Sequence, residues 1–240
     1  MNRVFLLSPA NCNGQRAGRL LKKAARSEIA QRLRSAEGAP LGEVFTFLSA
    51  LYFRGKLAYA RAFARPPADG RGVLVITPNR GLLSYDAAIR LSTLRGFARV
   101  PIGKKSRLYR RSLGRAVETL AGEIGADCEV VLLGSIASGK YLDILNRVLG
   151  DRLRVPAEFI GRGDMSRGAL LLRCVREQRE LDYVSPGQMR KIVEQAIADI
   201  LTQRSRRARA NSDHIVSQSM KGEPAHGTTS QSRLQKISQR

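Results

Sequence analysis

The run Glu129-Val-Val-Leu-Leu-Gly-Ser-Ile-Ala-Ser-Gly-Lys-Tyr141 constrains the fold most. Val130 to Leu133 are apolar without alternation, the pattern of a strand covered on both faces, and the small residues after them let backbone N–H groups face a ligand where a helix begins. Such a strand requires helices on both sides of its sheet. Two further runs of this kind, Arg3 to Ser8 and Gly72 to Thr77, alternate with helical patterns, and short β segments are expected near Arg154 and Phe159. The expectation is one α/β domain over residues 1–203, with a partly parallel central sheet flanked by helices. Sites in such sheets lie beyond the C-terminal ends of strands, here in the loops after Ser8, Thr77 and Leu133.

Helical spacing predicts a strongly basic helix from Gln15 to Arg34 and a helix or helix pair from Val44 to Arg65, stopped by Pro66-Pro67. A short helix is expected around Asp86 to Leu91. Ser106 can cap a helix running to Ile124, with Gly125 as its stop, and Ser138 can cap another that Gly150 ends. Asp164 is the expected N-cap of a helix from Met165 to about Glu180. Ser185, Pro186 and Gln188 form a capping box for a last helix to about Arg204, after which residues 204–240 are expected to be a disordered basic tail.

Charge limits the partners. Forty-two Lys/Arg face 20 Asp/Glu, a net +22, and residues 204–240 hold only eight of the cations and two of the acids. The folded part is therefore basic in its own right, which points to a polyanion. The densest stretch, residues 99–115, carries Arg99, Lys104, Lys105, Arg107, Arg110, Arg111 and Arg115 with no acid. Phosphate contact is expected there, with Tyr109 interleaved as a stacking surface. Arg162 and Arg167, on either side of Asp164, suggest an anion clamp at a helix start, with Ser166 between them.

Both histidines, His214 and His226, fall in the tail, so triad chemistry and histidine-based zinc sites have none in the core. Cys12, Cys128 and Cys174 have no metal-site spacing, and an odd count argues against a disulfide framework. No metal or cofactor is expected. A reducing cytoplasm fits, with no signal peptide and no membrane association.

Gly134-x-x-x-x-Gly139-Lys140 matches most of a phosphate-binding loop, but Tyr141 stands where Ser or Thr should hold Mg²⁺, and no later strand supplies a second metal anchor. The loop reads instead as a pocket wall offering Ser135, Ser138 and backbone N–H groups, or as a tight turn with Lys140 extended toward solvent.

Several short pieces, in this order, resemble the YaaA family of bacterial cytoplasmic proteins linked to peroxide stress and DNA binding, and a related family found near deazaguanine nucleic-acid modification genes. They are Leu6-Leu-Ser-Pro-Ala10, Gly42-Glu-Val-Phe, Leu51-Tyr-Phe-Arg-Gly-Lys-Leu-Ala-Tyr-Ala60, Ile76-Thr-Pro-Asn-Arg-Gly-Leu-Leu-Ser-Tyr-Asp86 with Arg90-Leu91, Ala137-Ser-Gly-Lys-Tyr141 and Arg162-Gly-Asp-Met-Ser-Arg167. Asn11 replaces the family's Lys and Lys140 its Glu, and the Asp86 to Arg90 interval is shorter. The resemblance implies a basic cleft for nucleic acid where Ser8, Asp86, Arg90, Tyr141 and Arg167 converge.

The sequence thus leads to a cytoplasmic nucleic-acid-binding protein, with DNA favoured over RNA, acting on or protecting damaged or modified DNA. The 99–115 cluster and the tail would hold phosphates, and Ser8, Arg90, Ser138, Tyr141, Arg162 and Ser166 would line a pocket. If it is an enzyme, Asp86 is the expected general base and Arg167 or Lys140 the anion stabiliser. The alternative is a nucleotide- or small-molecule-processing enzyme using the Gly134 to Tyr141 loop. An iron-handling stress role, which the resemblance allows, finds few clustered carboxylates or histidines to support it.

Overall fold

The structure, a computed structural model, describes residues 1–68, 70–103, 105–134 and 139–219. In chain order it runs β1 (Arg3–Leu7), α1 (Gln15–Leu21), α2 (Glu28–Arg32), β2 (Ala39–Pro40), α3 (Leu41–Ser49), α4 (Leu51–Phe63), β3 (Val73–Thr77), β4 (Gly81–Ser84), β5 (Ala88–Ile89) and α5 (Leu91–Ala98). There follow α6 (Arg107–Glu123), β6 (Glu129–Leu133), α7 (Leu142–Leu149), β7 (Leu153–Pro156), α8 (Asp164–Arg176), β8 (Tyr183–Val184) and α9 (Pro186–Ser219).

Six strands form a sheet in the order β4-β3-β1-β6-β7-β8, the four central ones parallel and the two edges antiparallel. This is the expected α/β class. Alternate residues of each strand go to opposite faces. Phe5, Leu7, Val75, Val131 and Leu133 join the core under α1 to α5 and α8, while Val4, Leu6, Ile76, Val130 and Leu132 join a second core under α6, α7 and Met189. Both faces of the central strands are dry, which explains their unalternating composition. The chain leaves β1 for β3 on one side and leaves β6 for β7 on the other, so β1 and β6, paired from Arg3↔Glu129 to Leu7↔Leu133, flank the sheet's switch point. That is where a crevice opens in this architecture.

Several expectations need correcting. The basic helix of residues 15–34 is two short helices: the chain turns extended at Lys22, and the Arg34 guanidinium donates to the carbonyls of Leu20, Lys22 and Ala30, closing the junction. Residues 86–91 are not a helix; β5 and then α5 occupy that region. Gly81 to Ser84 adds an unforeseen edge strand, and Phe159 ends a 3-10 turn rather than lying in a strand. Gly163, not Asp164, occupies the N-cap of α8.

The Ser106 cap, the left-handed Gly125 stop and the Ser185/Gln188 capping box form as expected. Helix α9 continues to Ser219, beyond the expected end near Arg204, because no glycine or proline interrupts it before Gly222. Residues 220–240 lie outside the described residues. The compact unit spans Met1 to Ile192, and the second unit begins at Val193. Among the described residues no helix is long and apolar enough to cross a membrane.

At the N-terminal end of the sheet, Glu129 accepts from Arg3 and Arg154, and Arg3 also meets Glu180. Burial would raise the Glu129 carboxyl, but these two guanidinium groups hold it below its ordinary range.

Helices α4 and α8 cross at backbone contact. A Cβ on Gly55 would lie 2.6 Å from the Gly168 carbonyl oxygen, and one on Gly168 would lie 2.9 Å from the Leu51 carbonyl oxygen and from the Tyr52 Cα. Neither neighbour can rotate away, because both are main chain. Gly168→Ala is therefore expected to lower stability by about 1–3 kcal/mol, read as a shift in denaturation midpoint with an unchanged denaturant slope. Wild-type stability in that variant would contradict the contact.

Candidate functional site

The α4–α8 crossing delivers its polar residues to the C-terminal ends of β1 and β6. Helix α4 is apolar at Tyr52, Phe53, Tyr59, Ala60 and Phe63, and on that same buried face stands Lys56, only 1% exposed. Its Nζ donates to the Ser8 carbonyl at 2.6 Å and meets the Ser8 hydroxyl at 2.8 Å. The amine also lies 4.5 Å from the Tyr52 ring centre and 4.9 Å from that of Phe53. Among the described residues no carboxylate forms an ion pair with it. Burial pushes the Lys56 ammonium down to about 7, with Asp164 the one charge pulling it back up.

Around this pair sit Tyr52, Tyr141, Asp164 and Arg167. Burial pushes the hydroxyls of Tyr52 and Tyr141 up to about 12, and the Asp164 charge raises both further, while Arg167 opposes the rise at Tyr52. The Tyr52 hydroxyl is buried and, among the described residues, accepts or donates no hydrogen bond of good geometry. Arg167 is close enough to act on it electrostatically, but its Nε and Nη2 are turned to the Phe159 carbonyl at 3.3 and 3.0 Å. Its Nη1 lies 3.6 Å from Asp164, and its plane covers the Phe159 ring.

In front of the cluster is a cleft of about 370 Å³, lined by the Pro9 to Asn13 turn, Pro78, Phe97, the Val100 to Ile102 segment, Lys140 and Tyr141. Its size falls in the range of about 300–1,000 Å³ typical of small-ligand sites. Tyr141 is buried with its ring edge-on to Tyr109, and the Tyr109 hydroxyl donates to the Lys140 carbonyl at 3.2 Å. That contact fixes the first turns of α6 beside the cleft. Arg99, Lys105, Arg107, Arg110, Arg111 and Arg115 are all exposed along this side.

The sequence-predicted residues therefore separate into groups. Ser8, Tyr141 and Arg167 come together at the switch point, and Lys140 lies exposed on the cleft wall. Asp86 and Arg90 do not join them. The register Leu74↔Ser84 carries the chain after β4 toward the N-terminal ends of the parallel strands, away from Ser8, so Asp86 is not the general base of this site. Arg162 and Ser166 are exposed and bonded to each other, Nη1 to Oγ at 3.1 Å. Arg167 is a strut between Phe159 and Asp164 rather than an open anion clamp. Tyr109 is wholly buried and offers no stacking surface. Ser135, Ser138 and Lys104 lie outside the described residues.

Sequence reasoning missed Lys56 and Tyr52 as site residues. The signal was present: Lys56 is the one charged residue on the apolar face of α4, four positions after Tyr52 and three before Tyr59. As for the phosphate-loop pattern, Gly139 is left-handed at φ 56° and α7 begins only at Leu142, so Lys140 precedes the helix it would have to open.

The buried amine makes stability depend on pH. In the unfolded chain Lys56 holds its proton to its ordinary value near 10.5, whereas in the folded chain it releases it near 7. Between these values the unfolded chain binds more protons, so stability rises with pH across that window, by at most about 1.4 kcal/mol per pH unit. Denaturation midpoints should rise from neutral to mildly alkaline pH in the wild type and lose that rise in Lys56→Met. A rise that survives the substitution would assign it to another group.

Comparisons with protein-family models, with curated proteins and with solved structures return no match.

Proposed function

We propose that this protein binds nucleic acid, DNA in the first instance, with phosphates held along the first turns of α6 and the preceding loop and an unstacked nucleotide admitted to the cleft behind them. The observation that carries this reading is the acid-free cationic rim beside a nucleoside-sized cleft. Arg107, Arg111 and Arg115 recur every four residues on one exposed helix face. Like charges at that spacing destabilise a helix by a few tenths of a kcal/mol per pair, about 0.2–0.5 each. Among the described residues no ion pair offsets Arg99, Lys105, Arg107, Arg111 or Arg115.

A polyanion tracking the rim would release counterions as it binds, and affinity would fall steeply with salt. The cleft wall adds Lys140 for a further phosphate and the apolar faces of Phe97, Val100 and Ile102 for a base. Burying an unpaired base there would cost a few kcal/mol, least for a damaged, mismatched or modified one. The motifs resembling the YaaA family point in the same direction.

Filter binding of single- and double-stranded DNA from about 50 to 200 mM salt should give a steep negative log–log slope. Replacing both Arg107 and Arg111 with Glu should weaken binding across sequences and make the slope shallower by about two phosphate contacts. No binding to either DNA at low salt would overturn the proposal. Thermal stabilisation by a free nucleotide, lost in Lys140→Ala and unaccompanied by DNA binding, would favour the nucleotide-processing alternative.

A further inference from the structure

We infer that Ser8 and Lys56 form a nucleophile–base pair, giving this chain a serine-based acyl-transfer activity toward carboxylic esters that is separate from its binding of nucleic acid. Ser8, 5% exposed, directly follows β1 at the switch point, and the next five residues, Pro9 to Asn13, form one wall of the cleft. Its hydroxyl is 2.8 Å from an amine that is buried, has no ion-paired carboxylate among the described residues and is locked by a second bond to the Ser8 carbonyl. A neutral amine has two donors and one lone pair. As an ammonium, Nζ donates to both Ser8 oxygens; as a neutral amine it keeps a donor for the carbonyl and can turn its lone pair to accept the Ser8 hydroxyl proton.

The remaining polar neighbours support the same assignment. Lys56 is faced from α4 by Tyr52, from β1 by Ser8 and from α8 by Asp164, with Arg167 and Tyr141 bordering Tyr52. Asp164 is two-thirds exposed and already lies near Arg167, so it does not lock the ammonium in its charged form. The Tyr52 hydroxyl, which has Arg167 beside it and no acceptor among the described residues, is a donor that can serve an oxygen building up charge. Gly134, just after β6, packs closely against the nucleophile. A Cβ there would fall 2.8 Å from the Ser8 Cβ and 3.1 Å from its Oγ.

In the reaction, Ser8 Oγ attacks the ester carbonyl carbon and its proton passes to Lys56 Nζ. The carbon–alkoxy bond then breaks, Lys56 returns that proton to the leaving alkoxide, and an acyl-serine remains. Water enters by the same route: Lys56 takes its proton, hydroxide attacks the acyl carbon, and Ser8 leaves and is reprotonated by Lys56. Ester and water become acid and alcohol, with no redox change and no co-reactant.

The test uses a fluorophosphonate, which reports nucleophilic serines: Ser8 Oγ bonds to phosphorus as fluoride leaves, and the hydroxyl proton goes to Lys56. Intact-mass and peptide analysis of the full chain should show a single adduct on Ser8, absent in Ser8→Ala. Its rate should fall at least about tenfold in Lys56→Met and Lys56→Arg, neither of which supplies a base near neutral pH, and Gly134→Ala should slow it by crowding Ser8. In the wild type the rate should climb as pH rises through the neutral range and then level off. No adduct on Ser8, or an adduct whose rate is unchanged in a folded Lys56→Met protein, would overturn the assignment. Should the Lys56 variants fail to fold, a wild-type labelling rate that is flat with pH would do the same.

Discussion

Helices α4 and α8 meet with no side chain between them, Gly55 against Gly168, and the functional end of the molecule depends on that approach. A methyl group at either position would collide with backbone carbonyl or Cα atoms. On α4, Lys56 is the next residue and Tyr52 lies one turn before; on α8, just before the crossing, are Asp164 and Arg167. Bringing the helix axes this close sets Lys56 under the end of β1, where the Ser8 carbonyl and hydroxyl receive it. A buried ammonium is expensive, and here it is offset by hydrogen bonds and aromatic faces rather than by a counter-charge. That choice leaves the amine able to lose its proton near neutrality.

The sheet supplies the other half of the arrangement. Because the chain departs in opposite directions from β1 and β6, the space above their C-terminal ends is not roofed by a crossover helix. The Pro9 to Asn13 turn, the Val100 to Ile102 segment and Tyr141 line that space, and Ser8, buried, directly precedes the turn. The exposed cations of α6 lie outside it. Exposed positive charge on α6 and the buried Ser8–Lys56 pair are thereby kept apart.

Much of this frame was legible in the sequence. Strands β1, β3 and β6 announce themselves as unalternating apolar runs, since both of their faces are covered, and the loops after β1 and β3 do line the cleft. The caps of α6 and α9 were equally plain, because Ser106, Ser185 and Gln188 act on residues three positions away. Tertiary effects were not. Nothing local shows that Arg34 would reach back to three carbonyls and split the first helix in two, or that Tyr109, set among arginines, would be the residue of its turn that faces inward. Asp86 looked well placed as a base only until the antiparallel pairing of β4 carried it to the far end of the sheet. Lys56 is the opposite case, a solitary lysine on an apolar helix face whose meaning depended on Ser8, 48 residues earlier in the chain.

The proposed binding mode lays a nucleic acid along the α6 rim and into the cleft at the switch point. Amide hydrogen exchange of the full chain, with and without a saturating single-stranded oligonucleotide, tests it most directly. Slowed exchange should appear in the turn from Ala10 to Asn13 and across residues 99–111, whose Val100 to Ile102 segment lines the cleft together with that turn. Protection confined to other parts of the chain, with both of these stretches exchanging as in the free protein, would contradict it.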